Sequence, residues 1–291
     1  MLSEWKKNGV LISVLGKRMF VVDSQSSDLP NLLILHGYPS SSFDYYKSFD
    51  TLKRHFRVII PDYVGFGFSE KPEHYSYSLL EQADFVLALL MVLGIKEYHL
   101  FGHDYGTTVA NEILAKRELG YEPAKVLSAT FCNGSMHIEL AHLKLVQKLM
   151  KHPFWGNLLN YFNTKALFIK TMSDIWYDKD KFSVEEANIH WHLIHENEGR
   201  KVFPKISRYN NERDQFWHRW IPCLTRLDIP VHILWAQEDP IAVKAIGEQL
   251  FKEIPHASIT RLPNLGHYPM LEDAVRWQKA LLDFYIQRGI I

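Results

Sequence analysis

The sequence predicts an α/β fold: a mostly parallel, doubly wound, eight-stranded sheet with an inserted helical cap. Three observations predict it. Apolar runs of strand length alternate with helix-like stretches over most of the chain. The run Leu100-Phe101-Gly102-His103-Asp104-Tyr105-Gly106 sets an aspartate between two glycines where a strand turns sharply into a helix, G-x-D-x-G in the frame of the G-x-S-x-G nucleophile turn. Residues 133–220 then break the alternation with a helical stretch dense in aromatic side chains.

The elements follow in order. Residues 10–15 and 19–23 read as a hairpin turning at Gly16-Lys17. Leu32-Leu33-Ile34-Leu35 is continuously apolar, as a parallel strand buried on both faces must be, and it ends in His36-Gly37-Tyr38-Pro39. The next strand, 57–60, ends in Pro61-Asp62, and the strand at 98–101 runs into the Asp104 turn. Ser78-Leu79-Leu80-Glu81 has capping-box spacing and opens a helix to about Leu93, stopped by Gly94. A helix from Tyr105 to Leu119 ends at Gly120. Strands at 125–131, 231–235 and 257–262 and helices at 244–253 and 273–287 complete the core. Ser183-Val184-Glu185-Glu186 is a second capping-box pattern, inside the aromatic stretch. The chain therefore divides into core (1–132), cap (133–220) and core again (221–291). An insertion after the strand ending near Phe131 emerges at the carboxyl ends of the strands, where open α/β sheets bind ligands.

Composition narrows the function. The chain has 291 residues, 47% hydrophobic and 23% charged, with zero formal net charge. That balance gives no electrostatic footprint for nucleic acid. No run of about 18 apolar residues is present, so no membrane span is expected. The start lacks the apolar core of a signal peptide, and Cys132 and Cys223 read as isolated buried thiols, so a cytoplasmic location is expected. The histidines and cysteines show no metal-ligand spacing, so no metal or other cofactor is expected. Aromatic residues make up 13% and crowd the cap, which fits an apolar small-molecule substrate. Oligomeric state stays open.

Four features converge on one rim: Asp104, the His36 to Pro39 loop, Gln237-Glu238-Asp239-Pro240 and Asn264-Leu265-Gly266-His267-Tyr268. Each follows a strand, and the order nucleophile, acid, histidine is that of a hydrolytic triad. A carboxylate at position 104 is anionic near neutral pH without help from a base, and it can displace a leaving group from sp3 carbon to form an ester. His267 suits the base that directs water onto that ester, with Asp239 orienting it and Glu238 as the rival acid. The backbone N–H groups of Tyr38 and Tyr105 are the expected oxyanion donors. His36 is expected to shape the substrate-facing loop through hydrogen bonds.

These residues resemble the aspartate-nucleophile branch of the α/β-hydrolase superfamily, the epoxide hydrolases and haloalkane dehalogenases, from Leu32 to about Tyr285. Val64-Gly65-Phe66-Gly67-Phe68-Ser69-Glu70-Lys71-Pro72 is similar to a segment common to both groups, and Gly266 to Asp273 is similar to their histidine segment. The same runs resemble the mesoderm-specific transcript family, which adds fold and triad rather than a substrate. Dehalogenases hold the halide with a tryptophan after the nucleophile and often an asparagine in the oxyanion loop; here these positions are Tyr105 and Tyr38. Asn133 stands where one dehalogenase subgroup has its acid, which leaves Asp239 in that role. Epoxide hydrolases use cap tyrosines on the ring oxygen, and the resemblance of residues 207–213 to such a segment carries that role to Tyr209. The second phenol is Tyr161, with Tyr177 as the rival. The resemblance implies an epoxide hydrolase. A haloalkane dehalogenase using cap tryptophans such as Trp155 or Trp176 is the alternative, and a non-catalytic ligand-binding module on the same scaffold is the alternative of another class.

Overall fold

The structure is a computed structural model that describes residues 1–142 and 164–291. Its centre is one eight-stranded sheet in the order β1-β2-β4-β3-β5-β6-β7-β8. The strands are β1 (Gly9–Val14), β2 (Lys17–Asp23), β3 (Asn31–Leu35), β4 (Arg57–Pro61), β5 (Glu97–His103), β6 (Lys125–Cys132), β7 (Val231–Ala236) and β8 (Ser258–Leu262). Strand β2 pairs antiparallel with both β1 and β4, and all the other pairs are parallel.

The apolar runs are continuous because both faces of the sheet are covered. Leu33 and Leu35 enter one buried cluster with Leu100, while Leu32 and Ile34 enter the other with Phe101. Helices α1 (Leu2–Lys7), α2 (Phe49–Leu52), α3 (Leu79–Val92) and α4 (Tyr105–Glu118) belong to the first part of the core. The stretch expected to form the cap contributes α5 (Lys165–Ser173), α6 (Val184–His195), α7 (Gly199–Ile206), α8 (Tyr209–Gln215) and α9 (Trp217–Leu224). Helices α10 (Lys244–Glu253), α11 (Pro269–Glu272) and α12 (Ala274–Ile286) return to the core.

Strand order positions the site. After β3 the chain goes to β4 on one side, then crosses back to β5 on the other. The crevice between the carboxyl ends of β3 and β5 is thus the topological switch point, where such sheets bind ligands. Leu35 pairs with Gly102 at that end, which brings Tyr38 and Asp104 together.

Local details depart from the sequence reading in four places. The first hairpin turns at Leu15-Gly16, both at positive φ, and Lys17 is already in β2. Ser78 caps α3 through Leu80 N–H, but Glu81 does not reach back: its carboxylate bonds the Ser76 hydroxyl. Ser183 caps α6 through Glu186 N–H, while the Glu186 side chain instead accepts from the Tyr46 hydroxyl. Helix α9 runs through the cap boundary expected at residue 220 and ends at Leu224, because Trp220, Ile221 and Leu224 are buried in the core cluster that contains α4.

Candidate active site

Asp104 occupies the turn between β5 and α4 at φ 44° and ψ −108°, a left-handed backbone that costs a non-glycine residue of order 1–3 kcal/mol. The two flanking glycines make the turn possible by close approach. A Cβ on Gly106 would strike the Leu35 carbonyl, and one on Gly102 would lie 2.7 Å from the Gly106 carbonyl oxygen. The strained peptide is held by its carbonyl, which accepts from Thr107 N–H at 3.1 Å, Thr107 Oγ1 at 2.6 Å and Arg213 Nη2 at 3.0 Å.

The Asp104 carboxylate is buried and its two oxygens differ. Oδ2 accepts the Tyr38 backbone N–H at 3.0 Å. Oδ1 has Arg213 Nη2 at 3.7 Å. Tyr105 stands at the first position of α4, directly after Asp104. His36 is fully buried beneath this loop. Its Nδ1–H donates to the Gly37 carbonyl at 2.9 Å and its Nε2 accepts Tyr63 N–H at 3.4 Å. Burial keeps it neutral by pushing its pKa down.

His267 and Asp239 meet across two strand ends, with Nδ1 and Oδ2 2.7 Å apart. Asp239 Oδ1 accepts the Ile241 and Ala242 N–H groups at 2.8 and 3.0 Å, so one oxygen caps the turn while the other faces the imidazole. Glu238, the rival, is exposed. Asn133, at the end of β6, donates to Asp239 Oδ2 at 2.9 Å and to the Ala236 carbonyl. Burial opposes the charge on His267, but Asp239, its hydrogen bond, and the nearby Asp104 and Asp44 outweigh burial and raise the pKa. Burial would raise Asp239, and the same His267 contact with its other donors brings it below the usual carboxylate value.

Aromatic residues of the inserted helical stretch pack against this rim. Tyr209, 5% exposed, packs its ring 5.2 Å from that of Tyr38 and 5.1 Å from that of Tyr105. The Tyr38 hydroxyl is buried without a hydrogen-bond partner among the described residues. Burial drives both phenols upward in pKa, with the charge on Asp104 adding to it. Trp176 stacks on Tyr268, the neighbour of His267, at 5.2 Å and 18°. Of the other candidates, Tyr177 is half exposed, and Tyr161 and Trp155 lie outside the described residues.

Arg213 was not singled out by the sequence reading. It is 1% exposed, donates to Thr108 Oγ1 at 2.8 Å and Asn210 Oδ1 at 3.1 Å, and lies 4.7 Å from the Tyr209 ring. The available signal is its spacing: positions 209 and 213 are four apart on one helix and share a face.

Comparison with known proteins bears on the fold. Residues 30–173 match the family model described as alpha/beta hydrolase fold. The mesoderm-specific transcript homolog protein of Bos taurus is 33% identical over 97% of this chain and 87% of its own length. Among solved structures, the epoxide hydrolase CorEH is similar at a TM-score of 0.77 with 19% identity, covering 96% of this chain and 98% of that one. The haloalkane dehalogenase DbeA from Bradyrhizobium elkani is similar at a TM-score of 0.82 with 22% identity, covering 97% and 98%. By its sheet order, its family-model match and a relative of this identity and coverage, the chain belongs to the alpha/beta hydrolase fold family.

Proposed function

We propose that this protein is an epoxide hydrolase that works through a covalent ester on Asp104. Asp104 Oδ1 attacks a ring carbon, the carbon–oxygen bond breaks, and its electron pair stays on the ring oxygen. A phenol then gives that oxygen its proton. His267 next takes a proton from water, and the hydroxide adds to the ester carbonyl. The oxyanion rests on Tyr38 N–H, with Tyr105 N–H as the second donor. Collapse breaks the bond from the carbonyl carbon to the alkyl oxygen, which takes the proton held by His267 and leaves as the diol; the proton of the added hydroxyl returns to the phenolate, and the carboxylate is restored. Asp239 holds the imidazole in the tautomer with Nδ1 protonated.

One observation carries the reading: Oδ2 of Asp104 is held by Tyr38 N–H, which leaves Oδ1 for carbon, beside two buried phenols. Tyr209 keeps the role carried from the family. The second phenol we assign to Tyr38, whose buried hydroxyl has no partner among the described residues. Trp176, stacked on Tyr268 beside His267, is assigned to meet an apolar substituent.

Trapping tests this. The variant His267→Gln, incubated with a styrene-oxide-type substrate, is expected to gain the mass of that substrate on Asp104, and wild type to release a diol. Bromide release from a bromoalkane without diol formation would overturn the epoxide reading in favour of a dehalogenase. No adduct with a panel of epoxides, haloalkanes and esters would favour a ligand-binding module.

A further inference from the structure

We infer that Arg213 divides the two steps of the reaction, restraining ester formation and driving ester hydrolysis. The inference rests on the Asp104 ester reading. It starts from an imbalance of charge. The Arg213 guanidinium is buried, and its hydrogen bonds go to neutral oxygens: Thr108 Oγ1, Asn210 Oδ1 and the Asp104 carbonyl. Among the described residues, the one carboxylate within ion-pair distance is Asp104, through Oδ1 at 3.7 Å. The oxygen that Tyr38 leaves free for attack is therefore the oxygen facing the buried cation. A buried charge without a counter-charge is costly, so the two groups stabilise each other while Asp104 is ionised.

The two steps change this pairing in opposite directions. In the first, the Oδ1 lone pair goes to carbon and Asp104 becomes a neutral ester, so Arg213 loses its counter-charge. Its field stabilises the starting carboxylate more than the transition state, and only interactions stronger in the transition state accelerate a step. In the second step, hydroxide adds to the ester carbonyl and negative charge forms first on Oδ2, the oxygen held by Tyr38 N–H; collapse then moves it onto Oδ1, the leaving oxygen that faces the guanidinium. Breakdown to alcohol and carboxylate restores the pair. A fixed cation aimed where charge develops is the arrangement that lowers such a barrier. The Asp104 carbonyl bond from the same guanidinium keeps it in place through both steps.

Single-turnover kinetics on Arg213→Met and Arg213→Lys test the inference, with ester followed by intact-protein mass and product by its release. Ester formation in Arg213→Met is expected at the wild-type rate or faster. Its hydrolysis is expected to slow by about tenfold or more, so that ester accumulates in steady state where wild type shows little. Arg213→Lys keeps the charge and is expected to recover most of the hydrolysis rate. A residue that only braced the turn would misplace Asp104 and slow ester formation, and that result overturns the inference. Unchanged hydrolysis in Arg213→Met overturns it as well. If Arg213→Met fails to fold, Arg213→Lys decides alone: hydrolysis lost together with ester formation sinks the inference. Failure of the underlying reading shows separately, as the absence of any adduct in His267→Gln.

Discussion

At the scale of single residues, the pocket is a set of titratable groups whose charges depend on one another. His267 is the clearest case. Burial lowers its pKa, and Asp239, Asp104 and Asp44 together raise it above the ordinary histidine value. In the proposed role of general base His267 must be neutral, so activity is expected to fall as pH drops through that value. Formation of the ester removes the Asp104 charge and with it one of the raising influences. Hydrolysis of trapped ester should therefore persist to lower pH than the His267 titration of the free enzyme would allow. An NMR titration of the free enzyme and a pH series of single-turnover hydrolysis would show two midpoints, the hydrolytic one lower. A single shared midpoint would contradict the assignment of Asp104 as a charged neighbour that is lost on alkylation. Most of these groups were legible because each sits in a short run after a strand. Arg213 was not, since an arginine on a helix of polar residues ordinarily faces water, and only the packing of α8 on the Asp104 turn turns it inward.

At the scale of elements, the strands were legible almost to the residue, because two-sided burial writes itself as continuous apolar runs. Their order was not, because crossing from β4 back to β5 leaves no local mark. Helix starts were half legible: Ser78 and Ser183 both cap, but both partner glutamates go elsewhere, Glu186 to Tyr46 across the fold and Glu81 to the nearby Ser76 hydroxyl, each a bond that competes with the capping box. Glu112 shows why α9 passes the expected boundary. It is fully buried on α4 and accepts two N–H groups from Arg219 at 2.7 and 2.8 Å and the Trp220 indole N–H at 2.8 Å. This fastens α9 to the helix that begins directly after Asp104. Removing one partner of such a buried pair leaves the others unsatisfied. Glu112→Ala is expected to lower stability by about 3 kcal/mol in urea unfolding. A loss below about 1 kcal/mol would mean that the apolar packing of Trp220 and Leu224 anchors α9 without it.

At the scale of the molecule, the cap is joined to the core by more than a hinge. Among the described residues, several acidic side chains bond across the boundary, these four among them. Glu112 holds α9; Glu212 accepts Leu79 N–H at the start of α3; Glu186 accepts the Tyr46 hydroxyl; Glu272 accepts Asp178 N–H and, on its other oxygen, Gly266 N–H beside His267. The apolar surface is shared too. Val202, Ile206 and Tyr209 of the cap belong to the same cluster as Leu33, Leu100 and Val109 of the sheet and α4, while Trp176 and Leu193 belong to the other. Neither part closes a core alone. Cap and core should therefore unfold together rather than as separate cooperative units. Far-UV circular dichroism, dominated by core and cap helices alike, and the fluorescence of a variant with Trp176 as its reporter should give one urea midpoint. The sharpest form of the test uses Glu272→Gln, which weakens the bond between cap backbone and the His267 loop without removing apolar contact. If the shared clusters govern cooperativity, this variant shifts both midpoints together. If the polar clamps govern it, the Trp176 signal moves to lower urea ahead of the helical signal, and the cap behaves as a lid that opens on its own.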